Sequence, residues 1–129
     1  MQVTRSGKSP RKTKATPEAP SFRRSPCAVA CTLDLVGDKW SLLVIRDLLR
    51  GSATYGDLQN SREGIPTNLL ADRLKKLEAA QLIARSAYQV RPVRYAYELT
   101  EKGKDLGEVL GAIVRWGKKH IPHTQALLR

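Results

Sequence analysis

The chain contains little of what stabilises a small secreted protein or anchors a protein in a membrane. Its 129 residues include two cysteines, Cys27 and Cys31, which are too few for a disulfide framework. No run of about 18 apolar residues occurs, so no membrane-spanning helix is predicted. Aromatic residues make up 5% of the chain, so its core must be mostly aliphatic. The length suits a single domain, and the low cysteine count favours a reducing cytoplasm.

Acidic residues are also scarce, which leaves the chain strongly basic. It carries 23 Lys and Arg against 12 Asp and Glu, a formal net charge of +11. Such a charge repels itself in a compact domain, so stability does not explain it. A polyanion would gain affinity from it through phosphate neutralisation and counterion release. The charge therefore favours nucleic acid as the partner, with a solubilising surface or a basic tail as the alternative.

Residues 1–25 are predicted to form a disordered basic arm. The segment has seven basic residues, one acid (Glu18) and several prolines, and it cannot bury enough apolar surface to offset its ordering entropy. It could follow a DNA minor groove, as the arms of some regulators do, or it could be a solvated tail. We expect one folded domain over residues 26–120 and a short tail over 121–129.

Apolar periodicity predicts four helices in the first part of the domain. They span residues 27–37, 39–50, 55–60 and 67–80. Gly37 suits a left-handed stop for the first helix, and Asp38 would cap the second. Either Pro66 or Thr67 could open the fourth.

The fourth helix has two chemically different sides. Leu70, Leu74 and Leu77 recur at i, i+4 and i+7 and form one apolar stripe. The opposite side carries small or polar residues: Thr67, Asn68, Ala71, Asp72, Lys75 and Lys76. The stripe predicts burial of one side, and the other side is either a binding face or an ordinary solvated surface.

After residue 81 the apolar period changes from that of a helix to that of a strand. Two strands are predicted over residues 82–88 and 93–99, joined by a basic tip over 89–92. Thr100 would cap a final helix reaching residue 118. The expected fold class is mainly α with a small two- to three-stranded antiparallel β wing, the winged helix-turn-helix.

The third and fourth helices are predicted to form the helix-turn-helix unit. In that geometry the second helix enters the DNA major groove, and its N-terminal half meets base edges. Thr67 and Asn68 can bond phosphates or base edges, whereas Asp72 is repelled by phosphate unless a cytosine amine or a neighbouring cation balances it. The candidate DNA contacts are Thr67, Asn68, Ala71, Asp72, Arg73, Lys75, Lys76, Arg91 and Arg94.

Four segments of the chain resemble the HxlR-type winged-helix regulators, which are related to the MarR group. They read C-x3-C-T-L-D-L-V-G-D-K-W-S-L-L-V-I-R-D-L-L-R-G, Y-G-D-L-Q, I-P-T-N-L-L-A-D-R-L-K-K-L-E-A-A-Q-L-I-A-R and Y-A-Y-E-L-T-E-K-G. The resemblance implies a homodimeric repressor or activator on a pseudo-palindromic site in double-stranded DNA. It also implies that the first and last helices form the dimer, although a deeper core within one chain is an alternative. The implied interface residues are Val29, Leu106, Val109, Leu110, Ile113, Val114 and Trp116.

Some HxlR-type regulators sense electrophiles or oxidants through a cysteine at the start of the first helix, and Cys27 matches that position. A thiolate there is stabilised by the helix dipole. The chain departs from the family pattern at Ala28, where proline is usual, at Ala30, where an acid is common, and at Gln81, where glycine ends the recognition helix. Cys31 is an additional cysteine one turn later. The resemblance implies a redox or electrophile effector, and the alternative is that both cysteines are ordinary small buried residues.

No constellation of catalytic or cofactor-binding residues occurs. The sequence has no Gly-rich phosphate loop, nucleophile elbow or H-E-x-x-H motif, so neither an enzyme nor a cofactor is predicted. His120 and His123 are spaced as H-x-x-H, but Pro122 spoils a shared helical face and no acid cluster accompanies them, so no metal site is predicted. Two rival functions remain: a nonspecific architectural DNA-binding protein and a protein–protein module.

Overall fold

A computed structural model describes residues 24–127 of the chain. All but the last two residues of the predicted basic arm therefore lie outside the described residues. Within that range the helices are α1 (Ala28–Val36), α2 (Ser41–Leu48), α3 (Tyr55–Gln59), α4 (Thr67–Ala79), α5 (Glu101–Lys104) and α6 (Leu106–His120). The strands are β1 (Ala53–Thr54), β2 (Ile83–Val90) and β3 (Val93–Leu99).

The strands form one antiparallel sheet with the order β1-β3-β2. The β2–β3 hairpin runs in register from Ile83 opposite Leu99 to Val90 opposite Val93, with an irregularity between Ala87 and Gln89. Strand β1 adds only a short pairing, in which Ala53 faces Tyr97. The predicted fold class, mainly helical with a small antiparallel wing, is confirmed.

The core is aliphatic, as the low aromatic content predicted. Helix α4 contributes its leucine stripe, and Leu70, Leu74 and Leu77 are at most 3% exposed. Ile45 of α2 is fully buried, whereas Trp40 and Leu43 are only half-buried. The remaining core residues are Val36, Val44, Leu48, Leu58, Ile65, Leu82, Ile83, Tyr97, Leu99 and Leu110.

Two predicted element boundaries are wrong. The hairpin is longer than expected because β2 continues through Val90. Val93, at the start of β3, is 51% exposed. The final helix is interrupted at Asp105, which keeps right-handed torsion angles (φ −63°, ψ −20°). The Thr100 hydroxyl holds α5 against the carbonyl of Gln81 at 2.7 Å, whereas α6 packs on α2. The two helices therefore pack against different neighbours.

The residues that follow α1 and α4 have backbone conformations opposite to those that their residue types suggest. Gly37, after α1, has a right-handed φ of −82°, and a Cβ there would collide with the Leu33 carbonyl. The expected left-handed stop at Gly37 is therefore wrong, and glycine serves there because there is no room for a side chain. Gln81, after α4, has a φ of +63°, the conformation that glycine usually supplies. Helix α4 thus ends in a left-handed residue that carries a side chain.

None of the described helices is long and apolar enough to cross a membrane.

Candidate nucleic-acid interface

Helices α3 and α4 are held in a fixed relation by the start of α3 and by the turn between them. The Thr54 side chain accepts from the Asp57 N–H at 3.1 Å, and the Asp57 carboxylate accepts from the Thr54 N–H at 3.0 Å. This reciprocal capping box satisfies the first turn of α3. In the turn, Gly64 supplies a φ of +70° and Ile65 is 5% exposed, so the chain enters α4 from an anchored point.

Helix α4 presents one polar side to solvent. Its leucine stripe is buried, and the opposite side is exposed along its whole length. We call this exposed side the recognition face; it consists of Thr67, Asn68, Ala71, Asp72, Lys75 and Lys76. The structure therefore brings six of the predicted DNA contacts together on one surface.

Arg73 is placed differently from the other predicted contacts. Its side chain is 18% exposed, and its Nε lies 3.3 Å from the Asp38 carboxylate. Position 73 follows Leu70 by three residues and precedes Leu77 by four, so it points toward the body of the domain. Arg73 thus ties α4 to the start of α2, and its assignment as a DNA contact stays a prediction.

Asp38 organises the start of α2 as well as binding Arg73. Its carboxylate accepts from the N–H groups of Trp40 at 2.9 Å and Ser41 at 3.0 Å. Burial acts to raise the pKa of Asp38, but the hydrogen bonds from Ser41 and Trp40 and the Arg73 charge together hold it below its usual value. Asp38 is thus ionised and caps the chain just before α2, as predicted, although α2 begins at Ser41 rather than at Lys39.

The acid on the recognition face is neutralised within the helix. Asp72 lies 3.3 Å from Arg73 and 3.6 Å from Lys76. These contacts remove the repulsion that an isolated carboxylate would feel beside phosphate.

The wing is joined to α4 by an ion pair that the sequence did not predict. Arg85 on β2 lies 3.3 Å from Glu78 at the end of α4 and sits over the Tyr95 ring at 4.3 Å from its centre. The two predicted basic contacts of the wing, Arg91 and Arg94, are both exposed. The ion pair therefore joins the start of the wing to the end of α4.

A buried arginine clamps the helix-turn-helix turn onto α2. Arg46 is 8% exposed and donates to both oxygens of Glu63, at 2.8 and 2.7 Å, and to Asp47 at 3.0 and 2.8 Å. The hydrogen bonding between Arg46 and Glu63 holds the pKa of the Glu63 carboxyl below its usual value and raises the pKa of the Arg46 guanidinium. Sequence reasoning missed this pair, because the partners lie 17 residues apart and no periodicity links them.

The two cysteines lie at the start of α1 in different surroundings. Cys27 is exposed and immediately precedes the helix, whereas Cys31 is half-buried and its thiol donates to the Ser25 carbonyl at 3.3 Å. Hydrogen bonds from the backbone N–H groups of Ala30 and Val29 hold the pKa of the Cys27 thiol below its usual value. Arg24, three residues before Cys27, pairs with Asp34 at 2.8 Å.

Helices α1 and α6 expose large apolar side chains. We call this surface the α1–α6 face; its exposed members are Val29, Leu33, Leu35, Val109, Ile113 and Trp116. The two helices border one cleft of about 280 Å³ that Leu35 and Val109 line together. Of the other predicted interface residues, Leu106 and Val114 are half-buried. Leu110 is 7% exposed and belongs to the core of its own chain, because it points from α6 toward the domain.

Among residues 24–127, no group of three or more potential metal ligands is brought together. The ring of His120 instead packs 4.8 Å from the Trp116 ring.

The three-stranded sheet, its hairpin and the α3–α4 pair define a winged helix-turn-helix domain. The family described as HxlR-like helix-turn-helix matches residues 35–125, and the chain belongs to this family. An uncharacterised HTH-type transcriptional regulator of Mycobacterium bovis is 35% identical over 98 residues, which are 76% of this chain. The match spans 61% of the length of that relative.

Solved structures of redox-related regulators are also similar to the chain. The reduced form of the transcriptional regulator YodB from B. subtilis is 27% identical, with a TM-score of 0.65 over 78% of this chain and 100% of that one. Its quinone-bound form is 28% identical, with a TM-score of 0.63 over 72% of this chain and 98% of that one. The oxidised form of the redox regulator HypR is 28% identical, with a TM-score of 0.66 over 72% of this chain and 96% of that one.

Proposed function

We propose that the protein is a cytoplasmic, sequence-specific DNA-binding transcriptional regulator that acts as a homodimer on a pseudo-palindromic operator. The observation that carries this proposal is the two-sided α4, with its leucines buried and its recognition face exposed beside the basic wing. A helix in this setting fits the major groove, which is about 12 Å wide. The net charge of +11 supplies the sequence-independent part of the affinity.

The homodimer is supported by the α1–α6 face. Val29 is 67% exposed and Trp116 is 61% exposed, so both would lose much of their contact with water in an interface. Burying large apolar side chains of this kind stabilises association by about 25 cal/mol for each Å² removed from water. A symmetric pair formed through this face would present two recognition faces to one duplex.

Selection from a library of random duplexes tests the proposal. We expect one palindromic site to be enriched, and we expect random duplex to compete for the protein far less well than the selected duplex. Binding should weaken steeply as salt is raised, because counterions are released on binding. Equal competition by random and selected duplexes would instead support a nonspecific architectural protein, and failure to retain any duplex would support a protein–protein module.

Cys27 supports a second, regulatory function. Its exposed thiol has a lowered pKa and stands at the start of α1, a helix of the α1–α6 face. We propose that the Cys27 thiolate adds to an electron-poor carbon of a quinone-like electrophile. A carbon–sulfur bond forms, and the ring takes up the electron pair and a proton. The quinone-bound form of the similar regulator YodB supports this class of effector.

The two cysteines provide matched variants for this test. Treatment with benzoquinone should change the operator affinity of the wild-type protein and of Cys31→Ser, and it should leave Cys27→Ser unaffected. A response in Cys27→Ser equal to that of the wild type would show that Cys27 is not the sensor.

A further inference from the structure

The side chain that opens α3 reaches the first residue of α4. The hydroxyl oxygen of Tyr55 lies 2.9 Å from the backbone carbonyl oxygen of Thr67 and within hydrogen-bonding distance of the Thr67 hydroxyl. Tyr55 is half-buried, and Thr67 is exposed on the recognition face. The capping box between Thr54 and Asp57 fixes the backbone around Tyr55, so the contact joins two anchored elements.

One assignment of the two protons makes both contacts hydrogen bonds. A carbonyl oxygen can only accept, so in this assignment the single Tyr55 proton is donated to the Thr67 carbonyl. The second contact is then a hydrogen bond only if the Thr67 hydroxyl donates its own proton to the Tyr55 oxygen. Both protons are thereby used inside the domain, and the Thr67 oxygen is left with acceptor capacity toward solvent.

We infer that Tyr55 is a positioning residue for DNA recognition: it fixes the Thr67 hydroxyl as a hydrogen-bond acceptor. Phosphate oxygens also only accept, so Thr67 in this state cannot donate to the DNA backbone. In the major groove the complementary donors are the N6 amino group of adenine and the N4 amino group of cytosine. Thr67 therefore reads one amino-bearing base in each half-site.

This inference rests on the proposed function and narrows it. The residue type alone leaves Thr67 free to bond a phosphate or a base edge, because an unconstrained hydroxyl can donate or accept. The contact with Tyr55 removes the donating option. It also holds the hydroxyl in one orientation before DNA arrives, which lowers the entropy cost of the base contact.

Base analogues on the selected duplex test the inference atom by atom. Each adenine of the half-site is replaced in turn by deoxynebularine, which lacks the N6 amino group, and each cytosine by deoxyzebularine, which lacks the N4 amino group. We expect one position in each half-site at which the loss weakens wild-type binding by about five-fold, the effect of one neutral hydrogen bond. Thr67→Val should bind the analogue and the parent duplex equally at that position, whereas Thr67→Ser should keep the wild-type dependence.

Tyr55→Phe separates the positioning role from a structural role. Without the phenol oxygen, the Thr67 proton becomes free to donate, so the dependence on the amino group should shrink and acceptor-bearing thymine or guanine should become tolerated there. Tyr97→Phe is the matched control, since it removes the same atom from a tyrosine in the core, and it should keep the wild-type base preference. Thermal unfolding of each variant shows whether the fold is retained.

The outcomes separate this inference from the proposed function. If a palindrome is selected but no amino group in its half-site matters to the wild type, or if Tyr55→Phe keeps the full dependence, the inference is wrong and the proposed function stands. If no duplex is enriched from the library, the proposed function fails, and the inference fails with it.

Discussion

The recognition face and the α1–α6 face of this domain are built in opposite ways. On the recognition face the acid is paired within α4, and the leucines behind it are buried. On the α1–α6 face, by contrast, Leu33 is 53% exposed and Ile113 is 49% exposed. One surface is complete within a single chain, and the other leaves apolar area in water. The difference is what we expect if the recognition face binds DNA from a single chain and the α1–α6 face is covered by a second chain.

Among the substitutions considered, Ile113→Asp is expected to have the largest effect, and it acts on the α1–α6 face. A carboxylate on the α1–α6 face opposes the burial of that face, so we expect the chain to become monomeric. Operator affinity should fall by at least about a hundred-fold, because two linked half-site contacts become one. Sedimentation measures the mass, and fluorescence anisotropy measures the affinity. Lys118→Gln, which loses the same unit of charge from the other flank of α6, should remain dimeric. An Ile113→Asp protein that stays dimeric with unchanged affinity would show that this face is not the interface.

Arg46→Ala tests whether the recognition face depends on contacts inside the chain. It leaves Glu63 and Asp47 without their partner, and we expect the free energy of unfolding to fall by about 2 kcal/mol. This is below the range for fully buried pairs because the Glu63 side chain is 31% exposed. Arg50→Ala, on an exposed arginine near the end of α2, should change it by less than about 0.5 kcal/mol. Equal effects of the two variants in urea unfolding would contradict the clamp.

The same clamp predicts how stability depends on pH. The pKa of Glu63 is lowered in the folded state, so its stabilising effect is present above the pKa of the unfolded chain and is lost as the pH falls through the lower folded value. Urea unfolding between neutral and acidic pH should therefore show a smaller acid-dependent loss in Arg46→Ala than in the wild type. An identical pH profile in the two proteins would show that Arg46 does not set the pKa of Glu63.

Asn68 on α4 and Arg94 on the wing are expected to contribute to DNA binding in different ways. Asn68→Ala should cost about 1–3 kcal/mol of binding and relax the preference at one base pair of each half-site. Arg94→Gln should weaken binding to all duplexes alike and reduce the dependence on salt, because a wing arginine contacts phosphate. Repeating the selection with both variants distinguishes these results. If both variants changed base preference in the same way, the division between helix and wing would be wrong.

Gln81→Gly is expected to have the smallest effect and to stabilise the domain. Gln81 has a φ of +63°, which costs a residue with a side chain more than it costs glycine. Glycine should raise the free energy of unfolding by about 0.5–1 kcal/mol. This gain is smaller than the backbone strain that glycine relieves, because glycine also gives the unfolded chain more conformational entropy. Ala80→Gly, one residue earlier at a φ of −81°, should instead lower it. A shift in the same direction for both variants would contradict the explanation.

The fold was predictable wherever a repeating pattern coincided with burial. The leucine stripe of α4 and the alternation of β3 predicted those elements because side chains that share a face recur at a fixed period. Helix ends were less predictable, since Gly37 is required by the nearby Leu33 carbonyl and Gln81 takes the left-handed conformation without being glycine. The break at Asp105 depends on what α5 and α6 each pack against, which local sequence does not contain.

The sequence predicted the placement of the exposed residues of the candidate site better than the contacts that hold the surrounding elements in position. Asn68 and Lys75 lie on the exposed side of α4, as the stripe implied. The clamp from Arg46 to Glu63 and the contact from Tyr55 to Thr67 join residues 17 and 12 positions apart, and no periodicity links them. Arg73 is among the DNA contacts predicted from the sequence, whereas its place beside the leucine stripe directs its side chain to Asp38.

We propose that the recognition face enters a DNA groove twice, from a symmetric pair of chains. Ala71 lies in the middle of that face, so Ala71→Cys in a protein with Cys27→Ser and Cys31→Ser can carry an iron–EDTA group there. On the selected duplex the account predicts cleavage in two clusters, related by symmetry and separated by about one turn of DNA, roughly 34 Å, or a multiple of it. A single cluster, or cleavage spread evenly along the duplex, would contradict it.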